Sequence, residues 1–159
     1  MSEKVVVDVS GIRLEEDSET PIMLLQDPKT FRFLPIWIGT IEAVSIAYAQ
    51  EGYVHPRPQT HDLLIDIVES LNASISEVCI TDIKEKTYFA EITLNTLEGN
   101  VTLSSRPSDA IALAIRSDSK ITVDNELFNS NSIILIEENN EEIQEFKQFI
   151  DDISPEDFS

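Results

Sequence analysis

The order of apolar and polar positions predicts a set of strands followed by helices in the first part of the chain. Apolar residues alternate with polar ones over 3–13, which is typical of a half-buried strand. Two further strands are predicted at 21–26 and 31–38, after short polar connections. Three strands joined in this way favour an antiparallel meander. Helical spacing of apolar residues then predicts helices at 41–51 and 61–71.

The second part of the chain repeats the order of strands followed by a helix. Its strands are predicted at 74–83, 88–94 and 101–104, with turn residues between them. A helix over 107–117 is small and apolar nearly all round, which indicates burial. A short strand at 121–123 follows, and 133–136 forms another strand or a helix end.

Strand runs and helix runs are segregated, so the pattern favours an α+β fold rather than a doubly wound one. We expect mostly antiparallel sheets packed with three main helices, plus a short amphipathic C-terminal helix. The division into domains follows composition: 1–136 forms the folded domain, and 137–159 is an acidic linker that carries the short helix. That last helix is predicted from apolar residues at helical spacing, Ile143, Phe146, Phe149 and Ile150.

Net charge limits the partners of this protein. Eleven basic against 30 acidic residues give −19, which repels nucleic acid from most of the surface. A polyanion must therefore be held locally, by a focused basic site or through bound metal. The segment 137–159 contributes nine acids and one base. It is a solvated linker, a regulatory mimic of nucleic acid, or a segment that docks a protein partner.

Cysteine content and hydropathy bear on location. The single cysteine, Cys79, lies in a predicted strand, which favours a buried, inert thiol and excludes a disulfide framework. We find no apolar run of membrane-spanning length and no signal-peptide pattern, so we expect a cytoplasmic protein without a membrane partner.

Two Arg-Pro pairs, Arg57-Pro58 and Arg106-Pro107, each precede a predicted helix start and an aspartate. A helix start presents free N–H groups and the positive end of the dipole, so an added guanidinium makes a plausible phosphate site. Alternatively, each arginine pairs with a nearby carboxylate and fixes its loop. Thr60 and Ser108 are interpreted as helix caps that could also contact substrate.

Titratable residues beside these pairs could carry chemistry. His61 is a candidate general base or metal ligand, or else a first-turn histidine bonded to the backbone. Asp62 and Asp109 fall early in helices, where a carboxylate stabilises the dipole without any chemical role. With Glu42, which could also be a plain surface acid, they could instead hold Mg²⁺ or Mn²⁺ through oxygen ligands. The chain has no glycine-rich phosphate loop and no known hydrolase motif.

Three segments of the chain together match the pattern of a known family. They are Leu34-Pro35-Ile36-Trp37-Ile38-Gly39 with Glu42-Ala43, Arg57-Pro58-x-Thr60-His61-Asp62-Leu63, and Arg106-Pro107-Ser108-Asp109-Ala110-Ile111-Ala112-Leu113-Ala114. Through these segments the sequence resembles the bifunctional nuclease domain family over residues 4–136. The resemblance implies a compact α+β domain that forms a homodimer or higher homo-oligomer and cleaves DNA and RNA. Transferred to this chain, it makes Arg57, His61, Asp62, Arg106 and Asp109 the first catalytic residues to test.

Two functions from different classes remain. The first is a divalent-metal-assisted nuclease of low sequence specificity, in which Arg57 and Arg106 stabilise developing charge. The second is a non-catalytic module that binds an anion such as a nucleotide, or that acts as a regulatory oligomer. The acidic surface and the lack of a dense carboxylate cluster favour the second.

Overall fold

Local sequence signals form the expected elements in the computed structural model, which describes residues 3–135. The predicted α+β class is confirmed, with strands and helices segregated along the chain. The elements are β1 Lys4–Val6, β2 Asp8–Leu14, β3 Pro21–Gln26, β4 Phe33–Trp37, α1 Thr40–Gln50, α2 Thr60–Ser70, β5 Ser74–Lys84, β6 Thr87–Thr96, β7 Gly99–Ser105, α3 Pro107–Ser117, β8 Lys120–Asp124 and α4 Asn125–Asn131.

Both predicted meanders form, and each builds one sheet or most of one. The first gives a three-stranded antiparallel sheet in the order β2-β3-β4. The second, β5-β6-β7, is extended by β8 and β1 into a five-stranded sheet ordered β1-β8-β5-β6-β7. Only the β5–β8 pair is parallel among the described strands, and helix α3 is part of the connection between them. No helix within residues 3–135 is long and apolar enough to span a membrane.

The prediction of one strand over 3–13 is wrong, because the chain changes sheets at Val7. Strand β1 pairs with β8, whereas β2 pairs with β3. The Val7 side chain is only 2% exposed, and its N–H donates to the carbonyl of Ile121 at 3.0 Å. Alternation of apolar residues continues across this point, so periodicity alone cannot reveal a change of pairing partner.

The end of the domain also differs from the prediction. Helix α4 was not predicted; the Asp124 carboxylate caps it by accepting from the Leu127 N–H at 3.2 Å. A strand or a helix end was predicted at 133–136; over 133–135, the part that the structure describes, Ile133 makes one isolated bridge with Phe33. The predicted C-terminal helix and the acidic segment lie outside the described residues.

Helix α3 is buried as predicted and sets the positions of its neighbours. Its small alanine side chains allow close packing, and α3 contacts α1 and α2 as well as the strands β5, β6 and β8. Ala110, Ile111 and Ala112 are fully buried in the core. The starts of α2 and α3 are thereby held beside α1.

Two helix caps were predicted one or two residues too late. Gln59, not Thr60, is the N-cap residue of α2, and its N–H donates to the Asp62 carboxylate at 3.0 Å. Arg106, not Ser108, is the N-cap residue of α3, and its side chain makes no capping hydrogen bond. Proline occupies the first turn of α3, so the capping position falls before it.

Candidate functional site

A cleft of about 490 Å³ opens where α1 meets the starts of α2 and α3. Its volume lies in the range of small-molecule and cofactor pockets. Both Arg-Pro segments of the sequence reach it, one through His61 and the other through Arg106 and Asp109. The lining residues are Ile41, Glu42, Val44, Ser45, Tyr48, His55, Gln59, Thr60, His61, Arg106, Asp109 and Arg116.

A row of hydrogen bonds joins the three helices across this cleft. Ser45 Oγ of α1 lies 2.7 Å from His61 Nδ1 of α2. His61 Nε2 lies 2.9 Å from Asp109 Oδ1 of α3. A hydroxyl, an imidazole and a carboxylate are thus connected in series, and both ring nitrogens of His61 are engaged.

The protonation state of Asp109 fixes the direction of these bonds. Burial favours the neutral carboxyl, but hydrogen bonds from Arg106 and His61 outweigh it and lower the pKa of Asp109. The ionised carboxylate only accepts, so His61 Nε2–H donates to it. In the neutral imidazole, Nδ1 then carries the lone pair and accepts from the Ser45 hydroxyl.

Arg106 anchors the acidic end of the row. Its Nε and Nη2 donate to the two oxygens of Asp109 at 2.9 and 3.1 Å. Its Nη1 donates to Glu42 Oε1 at 3.2 Å. The carboxylate pairing expected as the alternative to phosphate contact is therefore present. The Arg106 side chain is nevertheless 63% exposed, so it can turn its guanidinium to an incoming anion.

Arg116, which the sequence did not single out, supports the other end. Its Nη2 donates to Ser45 Oγ at 3.2 Å and to the Ser45 carbonyl at 3.1 Å. Its Nε donates to Asp62 Oδ1 at 2.7 Å. One signal could have revealed it: Arg116 lies near the end of a helix whose other residues are mostly small and apolar and are buried, and a charged side chain there requires partners.

Asp62 holds the helices together and does not line the cleft. It accepts from Arg116 and from the Gln59 N–H, at opposite ends of its carboxylate. Burial opposes ionisation, but these bonds dominate and lower the pKa of Asp62. Its place in the first turn of α2 also agrees with the dipole-stabilising alternative.

The remaining predicted residues differ in position. Thr60 lines the cleft at the first position of α2. Arg57 is exposed and is not among the lining residues, so Arg116 takes the place expected for it. Ser108 is buried in the second position of α3 and does not line the cleft, so it is not placed to contact substrate there.

The carboxylates predicted to bind Mg²⁺ or Mn²⁺ do not fit such a site as arranged. Within residues 3–135, no three acidic, histidine or cysteine side chains are grouped to hold a metal ion. Arg116 engages Asp62, while Arg106 bridges Glu42 and Asp109. The positive charge that a cation would supply is already provided by arginine.

Aromatic rings form one wall of the cleft. The Tyr48 and His55 ring centroids lie 5.0 Å apart and meet edge to face. Tyr53 packs on both of them, at 5.0 Å from Tyr48 and 4.8 Å from His55. His55 Nδ1 is buried and has no hydrogen-bond partner within the described residues. Tyr48 and His55 thus line the same cleft as the hydrogen-bonded row of Ser45, His61 and Asp109.

Comparison with known proteins gives a family and several relatives. Residues 23–135 match the model of the bifunctional nuclease domain. An uncharacterized protein of Mycobacterium tuberculosis, Rv1829, is 38% identical over 161 residues, covering 96% of each chain. Bifunctional nuclease 2 and bifunctional nuclease 1 of Arabidopsis thaliana are each 28% identical over 73% of this chain. That match spans only 36% and 37% of the two plant proteins.

Proposed function

Because the chain belongs to the bifunctional nuclease domain family, we propose that it is a nuclease that hydrolyses phosphodiester bonds in the cleft between α1, α2 and α3. Two Arabidopsis relatives bear the name bifunctional nuclease, which supports a nuclease role. We take DNA and RNA as substrates and the cytoplasm as the location. Family membership supports the class of reaction, and the chemistry must come from the site itself.

The observation that carries the proposal is the double engagement of His61. Its Nε2–H is held by an ionised, arginine-anchored Asp109, which fixes the tautomer and stabilises the imidazolium that forms on proton uptake. Its Nδ1 lone pair points to a hydroxyl at the cleft. This is the arrangement of a general base, with one nitrogen oriented and the other available to remove a proton.

Two arginines supply positive charge to the cleft, one at each end of the hydrogen-bonded row. Arg106 is exposed at the cleft, and Arg116 reaches Ser45 from inside the fold. Guanidinium groups bind phosphate oxygens and stabilise the charge that develops on them. A net charge of −19 repels nucleic acid from most of the surface. The two arginines offset this repulsion locally, because they bind the phosphate within the cleft.

The proposed mechanism has no step through a metal, since arginine already engages each candidate carboxylate. Dependence on Mg²⁺ or Mn²⁺ stays a prediction of the sequence. It is tested by comparing activity in EDTA with activity in each cation.

The deciding experiment is a cleavage assay on single-stranded DNA, double-stranded DNA and RNA. Purified wild type is compared with His61→Ala and Asp109→Asn, and folding is checked by circular dichroism. We expect cleavage that falls about 100-fold or more in both variants, the usual scale for loss of a general base or its partner. Ser70→Ala is the matched control, because Ser70 only bonds the α2 backbone.

Activity that persists undiminished in both folded variants would place the chemistry elsewhere. Absence of cleavage by wild type under every condition would favour the anion-binding module instead. Calorimetry with a nucleoside monophosphate would then measure whether the cleft binds a phosphate at all.

A further inference from the structure

The Ser45 hydroxyl lies in the cleft between a histidine nitrogen and an arginine. It lines the cleft, it is 2.7 Å from Nδ1 of His61, and Arg116 Nη2 donates to it at 3.2 Å. From this geometry we infer that Ser45 Oγ is the nucleophile and that cleavage passes through a covalent phosphoseryl intermediate. The inference rests on the proposed nuclease function and names the residue that attacks.

The bonds around His61 explain why serine, rather than a water molecule, is the group activated. Within the described residues, Nε2 is bonded to Asp109 and Nδ1 to Ser45. The nearest proton that Nδ1 can remove is therefore the one on Ser45 Oγ. A nucleophile bonded to a base, with the base oriented by a third group, is the general arrangement for covalent catalysis.

Other helical serines of this protein show what a purely structural serine does. Ser70 Oγ donates to the Asp66 carbonyl at 2.6 Å, and Ser117 Oγ donates to the Leu113 carbonyl at 2.8 Å. Both bond four residues back along their own helix, the usual arrangement for serine inside a helix. Ser45 Oγ instead bonds His61 of another helix and accepts from Arg116. The Ser45 hydroxyl is therefore oriented by residues that line the cleft and not by its own helix.

The covalent route consists of two successive displacements at phosphorus, and atoms and protons balance in each. In the first, the Ser45 Oγ–phosphorus bond forms and the bond from phosphorus to the leaving oxygen breaks. The Ser45 proton moves to His61 Nδ1 and then to the leaving oxygen, which departs as an alcohol. In the second, a water oxygen bonds to phosphorus and the phosphorus–Oγ bond breaks. The water proton passes through Nδ1 back to Ser45 Oγ.

The charges that develop along this route are stabilised by Asp109, Arg116 and Arg106. Deprotonating Ser45 makes His61 an imidazolium, which lies between the lone pairs of Oγ and the ionised Asp109. Arg116 lies beside the oxygen that attacks, and Arg106 lies at the open side of the cleft. Each can stabilise negative charge on the non-bridging phosphate oxygens.

The first test uses bis(p-nitrophenyl) phosphate with wild type, Ser45→Ala and Ser70→Ala. Rapid mixing should give a burst of p-nitrophenol from wild type. Acid quenching followed by peptide mass analysis should place a p-nitrophenyl phosphoryl group on Ser45. Ser45→Ala should lose the burst and the adduct and fall about 100-fold or more in rate, whereas Ser70→Ala should behave like wild type.

A second measurement works on the wild type alone and does not depend on how any variant folds. A phosphorothioate diester of defined configuration reports the number of displacements at phosphorus. Net retention is expected for two displacements through Ser45. Net inversion would overturn the inference and show direct attack by water, even where the intermediate is too short-lived to trap.

The outcomes separate this inference from the function on which it rests. If His61→Ala abolished cleavage but Ser45→Ala preserved it, the nuclease function would stand and Ser45 would not be the nucleophile. An inactive wild type would overturn both. Retention of configuration together with loss of activity in Ser45→Ala would establish the covalent route.

Discussion

Arg116 donates from Nε to Asp62 Oδ1 at 2.7 Å and thereby joins the last turn of α3 to the first turn of α2. The same guanidinium reaches the Ala112 carbonyl of its own helix and the Ser45 carbonyl of α1. Its side chain is only 10% exposed. One arginine therefore orients all three helices whose side chains form the cleft.

We predict that Arg116→Met destabilises the fold by about 2 kcal/mol, the scale for losing hydrogen bonds to a charged group. The substitution keeps much of the buried side-chain volume but leaves Asp62 and the Ser45 carbonyl without this donor. Urea unfolding followed by circular dichroism measures the change in the free energy of unfolding.

Arg57→Met is the matched control, because Arg57 is exposed. We expect its free energy of unfolding to stay within about 0.5 kcal/mol of the wild-type value, as is usual for surface substitutions. An equal loss in both variants would contradict the structural role assigned to Arg116.

The lowered pKa values of Asp62 and Asp109 predict a stability that falls in acid. A carboxyl whose pKa is lower in the folded than in the unfolded state contributes stability above its unfolded pKa, about 3.9 for aspartate. That contribution is lost as the pH falls through the lowered folded value. We therefore expect the urea midpoint to drop below about pH 4.

Asp62→Asn identifies the source of this acid sensitivity. The variant lacks the ionisable group, so its deficit against wild type should be largest near neutral pH and shrink in acid. A deficit that stayed constant over the whole range would show that ionisation of Asp62 does not stabilise the folded state.

The sequence could predict the elements of this fold because apolar periodicity reports burial directly. Helix 107–117 was located to the residue, since proline marks its start and small apolar side chains fill it. Periodicity does not report pairing partners. The exchange of sheets at Val7 was missed for that reason, although every neighbouring residue fits a strand.

Local sequence signals were also insufficient to identify every residue of the candidate site. His61, Arg106 and Asp109 were found from turn and capping signals, and the structure brings them together. Ser45 and Arg116 carry no such local signal, because each depends on a contact between helices. Distances of this kind arise from packing around α3, which a single sequence does not encode in any one stretch.

Arg106 and Arg57 should differ in their effects on catalysis. Arg106 lies in the cleft beside Asp109, whereas Arg57 is not among its lining residues. We predict that Arg106→Gln lowers kcat/KM about 100-fold, as for loss of one group that stabilises transition-state charge. Arg57→Gln should change it less than about threefold, within the range of a remote surface charge.

Steady-state cleavage of a short fluorescent oligonucleotide measures both variants under identical salt. Salt must be fixed because long-range attraction between a cation and nucleic acid is screened by ions. A large loss in Arg57→Gln alone would restore the role that the sequence assigned to Arg57.

Helix α2 carries exposed apolar residues that could form the contact between copies of this chain in the homo-oligomer expected from the sequence. None of its residues is buried, and Ile67, in the middle of its apolar stripe, remains 46% exposed. Leu63 and Leu71 lie one turn on either side, and both are also exposed. A row of exposed apolar side chains is typical of an interaction surface.

We predict that Ile67→Glu lowers the molar mass measured by light scattering toward that of a single chain while leaving the fold intact. The physical reason is that a carboxylate in an apolar contact between two copies would be desolvated without a partner. Glu69→Gln on the same helix is the control, because it changes charge without interrupting the apolar stripe. A wild-type mass equal to one chain would show that α2 is not a self-association surface, and an unchanged oligomer in Ile67→Glu would place the contact elsewhere.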